Sequence, residues 1–293
     1  MRRLHLALIT VLLAGTGLLS SLLRAETAAP ASGIVVQVRG SVGVAHGPSD
    51  ILRPAPENAL LAAGDVIETA QKSGGVLVLP NGSTVFLQEQ TRLVLTQVRQ
   101  APFTAPDLVV FDHLKAEPSV SVTALDLEFG EVVVQVRKLL PESAFSIRTP
   151  VGPAGSAGAA FVLAYTEDEN RAAALLLGTA NGLVRFTPVD GKPVEVSVHR
   201  QAEVRARVGR TGVQVEQLQI RALEEDAVDR IEDLNRTARE DVNQALQRAR
   251  AMRRAPQPPD DHSLRPAPPR DLTRDNRPEP PKRPARPVRP AGN

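Results

Sequence analysis

Between residues 33 and 212 the sequence is cut into about a dozen apolar runs of four to six residues, each closed by turn-forming residues. Ile34, Val36 and Val38 alternate with Val35, Gln37 and Arg39, and after Gly40 comes the short run Val42-Gly43-Val44. Further runs follow at 60–69, 76–88, 92–96, 125–129, 131–136, 145–148, 161–165, 173–177, 183–186, 194–198 and 203–208. The only helical stretch expected among them lies around Asp107 to Lys115. A doubly wound α/β fold would have nowhere to put its helices. The expectation is a mainly β domain over residues 33–212, built of many short strands in a sandwich or β-solenoid manner. Its clearest hairpin is VLVLPNGSTVFLQ, where Asn81-Gly82 supplies the positive φ angles of a tight turn and Pro80 ends the first strand. Aromatic residues make up 3% of the chain, so the core must be built from Val, Leu, Ile and Ala.

Near Val213 the period changes. Ile220, Leu223, Ala227, Ile231, Leu234, Ala238, Val242, Ala245, Ala249 and Met252 step by threes and fours, which predicts one amphipathic helix over 213–254. Glu224, Glu225 and Asp226 early and Arg248, Arg250, Arg253 and Arg254 late suit the helix macrodipole. The stripe has two readings. It packs on the β domain or leads into the tail, or its seam over 220–252 self-associates weakly as a coiled coil or docks a partner helix. Residues 255–293 hold 12 of the 25 prolines, and from Arg277 onward four Arg and one Lys face one Glu. Such a segment is expected to stay extended and disordered, either as a plain linker or as an electrostatic contact with an anionic envelope surface. It has no aromatic residues on which bases could stack, so nucleic acid is not an expected partner.

The chain opens with Arg2 and Arg3, the run LHLALITVLLAGTGLLSSLL and then Ala25-Glu26-Thr27. This is the pattern of a secretory signal peptide over 1–25 with cleavage at Ala25. The run over residues 4–23 is also long enough to be an uncleaved membrane anchor. Both readings place the remainder outside the cytoplasm, as a periplasmic or exported protein or one held at the inner membrane and facing the periplasm. The chain has no cysteine, which excludes thiol catalysis, disulfides and cysteine-bound metal.

The stretch SIRTPVGPAGSAGAAFVLAY spaces Gly152, Gly155 and Gly158 by threes. A phosphate loop would need a Lys-Ser or Lys-Thr pair entering a helix, and the dinucleotide fingerprint must also open one. Here a strand pattern, Phe161 to Tyr165, comes next, so the loop reads as a packed corner where glycine permits close backbone approach. His5, His46, His113, His199 and His262 lie far apart, and none has metal-ligand spacing; Asp112 and His113 are adjacent in sequence, and adjacent side chains point apart and form no dyad. No G-x-S-x-G elbow is present. No catalytic, cofactor-binding or metal residue is therefore expected, and no cofactor.

The order of motifs over 33–187 resembles the FecR-domain family, the periplasmic module named after the ferric-citrate sensor. The matching residues are Val38-Arg39-Gly40-Ser41-Val42, Gly64-Asp65-Val66-Ile67-Glu68-Thr69, Asn81-Gly82-Ser83 and Leu127-Glu128-Phe129-Gly130-Glu131-Val132-Val133-Val134. Phe145-Ser146-Ile147-Arg148-Thr149-Pro150-Val151-Gly152, Gly158-Ala159-Ala160-Phe161 and Asn181-Gly182-Leu183-Val184 complete the series. Two positions depart from the pattern: Ala159 replaces a threonine and Ala157 an arginine. The insert from Gln97 to Leu125 is similar to that of stand-alone exported FecR-domain proteins. The best-known members control a sigma factor through a cytoplasmic region ahead of a membrane span. Three residues precede the apolar run here, so that role is not expected to carry over.

The expected function is a non-enzymatic exported binding or scaffold module that contacts another envelope protein or a cell-wall polymer, through the insert, the 152–158 corner or exposed strand edges. The alternatives are an envelope glycan-acting enzyme using paired carboxylates, or a sensor of the iron-uptake signalling type.

Overall fold

A computed structural model describes residues 28–103 and 116–254. The leader, the tail and the helix expected around Asp107 to Lys115 lie outside the described residues. Seventeen strands precede one helix among them. The first nine are β1 (Ala29–Pro30), β2 (Gly33–Arg39), β3 (Val42–Ala45), β4 (Arg53–Pro54), β5 (Leu60–Leu61), β6 (Val66–Thr69), β7 (Gly74–Val78), β8 (Thr84–Leu87) and β9 (Arg92–Gln100). The remainder are β10 (Ser121–Gln135), β11 (Ala144–Thr149), β12 (Gly152–Gly155), β13 (Ala159–Glu167), β14 (Ala172–Phe186), β15 (Val194–Ser197), β16 (Arg200–Gly209) and β17 (Gly212–Ala222), followed by α1 (Glu225–Arg254). The fold is mainly β, as the runs and turns predict.

The strands form two sheets that share two members. The front sheet runs β4–β3–β6–β9–β10–β11–β12–β14–β15, with β1 on the far end of β9. The back sheet runs β5–β2–β7–β8–β10–β13–β14–β16–β17. Pairing is antiparallel except between β10 and β11. Because β10 and β14 serve both sheets, β10–β11–β12–β14–β13 closes into a ring.

From sequence these two strands read as four, split at Gly130 and at the stretch before Leu183. Each is one strand bent at a corner. At the first corner Glu128 is an extra residue opposite Leu93 and Arg92, and at the second Ala180 is extra opposite Ala160 and Phe161. One extra residue inverts the alternation of side chains. Thus Leu125 and Leu127 point inward before the first corner and Val132 and Val134 after it, while Val133 turns to the outer face. Likewise Leu175 and Leu177 give way to Val184 and Phe186. Gly130 and Gly182 take φ of 97° and 80°, and a Cβ on either would overlap backbone, at Thr91 and Gln90 in one case and at Gly158 and Ala159 in the other. The Thr91 hydroxyl, fully buried, accepts the Glu131 N–H at 3.0 Å beyond the bend.

Two expectations change. In the hairpin between β7 and β8, Gly82 alone of the Asn-Gly pair has positive φ. Asn81 stays in ordinary backbone space because its side chain is employed: Oδ1 accepts the Ser83 N–H at 3.0 Å and Nδ2 donates to Ser121 Oγ at 3.2 Å. The β region also runs past residue 212. Residues 212–222 form β17, and the helix begins at Glu225 instead of 213. Val213, Val215, Leu218 and Ile220 rest on the core from the edge of the back sheet. A bulge at Glu216 breaks their period of two and disguised it as helical spacing.

The described residues up to Met252 belong to one compact unit. Helix α1 lies across the outer face of the back sheet. Leu223 just before it touches Gly178 of β14, and Asp241 reaches Arg39 of β2 at 3.2 Å. Residues 225 to 242 span about 26 Å of helix, and five strand spacings from β14 to β2 span about 24 Å, so the helix bridges six strands. Leu223, Ala227, Val228, Ile231, Leu234 and Val242 pack on Val76, Val78, Phe86, Val133, Ala160, Val162 and Ala180. The seam read as a coiled-coil surface is therefore used on the sheet at Leu223, Ala227, Ile231, Leu234 and Val242, and Ile220 belongs to β17. Arg230 pairs with Glu131, and Arg39 lies 5.7 Å from the Phe86 ring centre.

Two expectations can be measured. Gly130→Ala and Gly182→Ala should each lose at least about 2 kcal/mol of unfolding free energy in urea, from backbone overlap and left-handed strain together. Gly212→Ala, with φ 145° and open space around it, should lose about 1–2 kcal/mol from strain alone. The second concerns Asp241, whose carboxyl is lifted above the usual range by burial, against the opposing pull of Arg39 and Gln37. An acid raised in the folded state costs stability once ionised; the cost is absent below the ordinary carboxylate range and full above the raised value. Asp241→Asn should hold or raise the melting temperature at pH 7, and lowering pH through the carboxylate range should stabilise the wild type relative to it. A lower melting temperature at pH 7 would mean that the Arg39 ion pair outweighs burial.

Candidate functional site

The glycine-spaced corner is tied down by its own backbone. Ser156 N–H donates to Phe145 O at 3.2 Å, Gly158 N–H to Ser156 Oγ at 3.0 Å and Leu139 N–H to Ala157 O at 2.9 Å. Ser156 Oγ donates to Leu183 O at 2.9 Å, and Thr149 Oγ1 to Gly152 O at 2.8 Å. A Cβ on Gly152 would overlap the Thr187 carbonyl. The Ser156 and Gly158 amides that an anion would need are used within the chain, and the stretch is a packed corner.

That corner also opens a groove. Strand β12 pairs with β14 only through Ala154–Phe186 and Gly155–Arg185 and then leaves, so Leu183, paired with Ser197 of β15 on its other side, has no β12 residue opposite it and stays 41% exposed. The resulting shallow groove of about 580 Å³ is walled by small residues, among them Ala144, Ser146, Gly155 and Ser156, with Leu183 and Arg185 on one side. Arg185 Nη2 is 3.1 Å from Glu195 Oε1.

A second recess, about 330 Å³, lies beside it and contains Asp126, Glu128 and Arg148. Arg148 grips Asp126 with two nitrogens, Nε at 3.0 Å from Oδ1, and this pairing holds its guanidinium above its ordinary pKa. Arg92 bridges Glu68 Oε2 at 2.6 Å and Glu128 Oε2 at 2.7 Å. Burial pulls its pKa down, and the two carboxylates more than offset that. A glycosidase acid or base needs a carboxyl free to exchange its proton, and these are held by arginine.

Two histidines, His46 and His199, lie among the described residues. His46 Nδ1 lies 3.0 Å from Asp65 Oδ1, and Asp65 Oδ2 accepts the Ala62 N–H at 2.8 Å. The His46–Asp65 contact was not visible in sequence, since 19 positions separate the two and nothing but the Gly64-Asp65 turn hints at it. His199 is a turn residue at φ 57° whose amide donates to Thr179 O at 2.7 Å. His5, His113 and His262 lie outside the described residues. Among the described residues no group of three or more His, Cys, Asp or Glu side chains could hold a metal ion. None of the described helices is long and apolar enough to cross a membrane. Burial beside Glu167 pushes the Tyr165 phenol up to about 12.

A second feature sequence reasoning missed is a buried polar cluster at the base of the insert. Glu117, 5% exposed, accepts the Ser121 hydroxyl at 2.5 Å and the Leu140 N–H at 2.6 Å, and Ser121 links on to Asn81. Ser83 Oγ accepts the Arg137 N–H at 3.1 Å. The Asn-Gly-Ser turn is thus a buried anchor for the start of β10.

Residues 65–185 match the family described as FecR protein. Over that span the chain is similar to FecR proteins. The match begins at Asp65, in the Gly-Asp step, and ends at Arg185, so the matched region takes in β6 to β14 and both corners. Thr69 of that step is 2% exposed, donating to Gln88 O at 2.5 Å and accepting the Thr91 N–H at 3.0 Å. The motif residues of the matched region therefore build its corners and turns. Two crystal structures of a candidate anti-sigma factor from Parabacteroides distasonis ATCC 8503 are similar to the chain. They show 18% and 19% identity and TM-scores of 0.38 and 0.39, covering 56% of this chain and 62% of theirs, less than two thirds of their length. No curated protein matches.

Arg92→Met should lower unfolding free energy by about 1–2 kcal/mol, because Glu68 and Glu128 are left without the cation between them. Arg148→Met, at a position 62% exposed, should cost under about 1 kcal/mol. Urea denaturation of the two variants side by side checks the order.

Proposed function

We propose that this FecR-domain chain is a non-enzymatic, exported binding or scaffold module of the bacterial cell envelope. Its partner is another envelope protein or a cell-wall polymer. The reading rests on one observation: an open groove of small side chains lies on a frame whose flanking carboxylates Asp126, Glu128 and Glu195 are all paired with arginine. Such a surface offers shape and backbone, with no free acid or base. An extended segment with small side chains would fit between β11 and Leu183. The N-terminal leader directs the chain to the periplasm or holds it at the inner membrane facing it. The Pro/Arg-rich residues 255–293 add electrostatic attraction to anionic polymer or lipid headgroups.

Crosslinking in intact envelopes tests the reading. Ala144→Trp and Leu183→Ser should abolish the crosslinked species that the wild-type chain gives, with unchanged melting, while Ala172→Trp on the back sheet should leave it intact. Loss in the Ala172 variant and retention in the groove variants would place the contact elsewhere. Turnover of peptidoglycan fragments by the purified chain would replace the binding reading with the glycan-acting one.

A further inference from the structure

Among the described residues, β17 pairs on one side only, with β16, and so forms an edge of the back sheet 11 residues long. Long exposed edges invite pairing and are usually shortened, charged or covered. This one is covered in part. Asp190 Oδ2 accepts the Val215 N–H at 3.1 Å, which blocks the first half of the strand. Helix α1 leaves the other half open, because from Leu223 it runs over β14 toward β2, away from β17. The open portion is Glu216–Ala222. On it Leu218 and Ile220 face the core and remain only half-buried, while Gln217, Gln219 and Arg221 face outward.

We propose that this edge pairs with the same edge of a second copy of the chain, antiparallel about a two-fold axis through Gln219. The midpoint of the open portion sets the register. It places Leu218 against Ile220 of the other copy, twice, completing the apolar layer that ends abruptly at the edge. On the outer face it sets Gln219 on its own counterpart and Gln217 opposite Arg221, so no like charges meet. Shifting the register by one residue would put apolar side chains opposite polar ones on the wrong face. Charge complementarity and the apolar pattern therefore favour this occupant: the strand is its own complement. Seven paired residues on each side make a small interface, so the dimer is weak and depends on concentration.

The chain has no cysteine, which makes the test direct. Gln219→Cys would sit opposite itself across the axis, where Cβ atoms of facing residues lie about 4.5–5.5 Å apart. Under mild oxidation the full-length Gln219→Cys chain should form a disulfide-linked dimer, while Arg207→Cys, on the neighbouring strand, stays monomeric. In sedimentation velocity Gln217→Glu, opposite Arg221, should tighten the dimer about three- to tenfold and Gln217→Arg should weaken it by a similar factor. Both changes lie on the solvent face opposite Arg205 of β16, so melting should move only slightly, up for Gln217→Glu and down for Gln217→Arg. Equal crosslinking of the two cysteine variants, no crosslinking of Gln219→Cys, or no response to the charge at position 217 would each overturn the proposal.

Discussion

Two strands must each belong to both sheets, and this single requirement organises the molecule. A strand can pass from one layer to the other only if its backbone turns sharply while its inward face stays apolar. At Gly130 and Gly182 the turn uses left-handed backbone with another segment pressed against the Cα, which no side chain permits. The extra residues Glu128 and Ala180 then restore the inward face by inverting alternation. Without these corners, the front and back sheets would be separate layers joined by loops.

The buried polar groups follow from the same corners. Where a strand bends, some backbone groups lose their ladder partners and must find others. Thr91 supplies one at the first bend, and Ser156 and Thr149 supply others around the glycine corner. Asn81, Ser121 and Glu117 do the same where β10 begins. The groove beside Leu183 arises from the same geometry, because β12 is too short to flank β14 beyond Gly155. The groove is thus a by-product of how the ring closes.

Much of this was legible beforehand. Periodicity and turn residues gave the β class, and the motif order pointed to the family that residues 65–185 match. Other parts were not legible. Asn81 was read for its backbone, while its side chain carries the turn. The step from strand to helix reads early in sequence because the bulge at Glu216 breaks the strand alternation between Val215 and Leu218, and Ile220, the last core-facing strand residue, lies three positions before Leu223. The His46–Asp65 contact, the Glu117 cluster and the Arg92 bridge join residues far apart in sequence, and such pairs have no local pattern.

The sequence by itself determined the short strands, their turns and the stripe of the final helix, since each depends on the order of apolar, polar and glycine residues over a few positions. Only the tertiary structure decided that four of the runs are two continuous strands, that the stripe faces the back sheet, and that one edge of that sheet is half covered and half open. Those outcomes depend on which distant backbones meet at Gly130, Gly182 and Val215, and contact between distant segments is a property of the folded chain that local order does not encode.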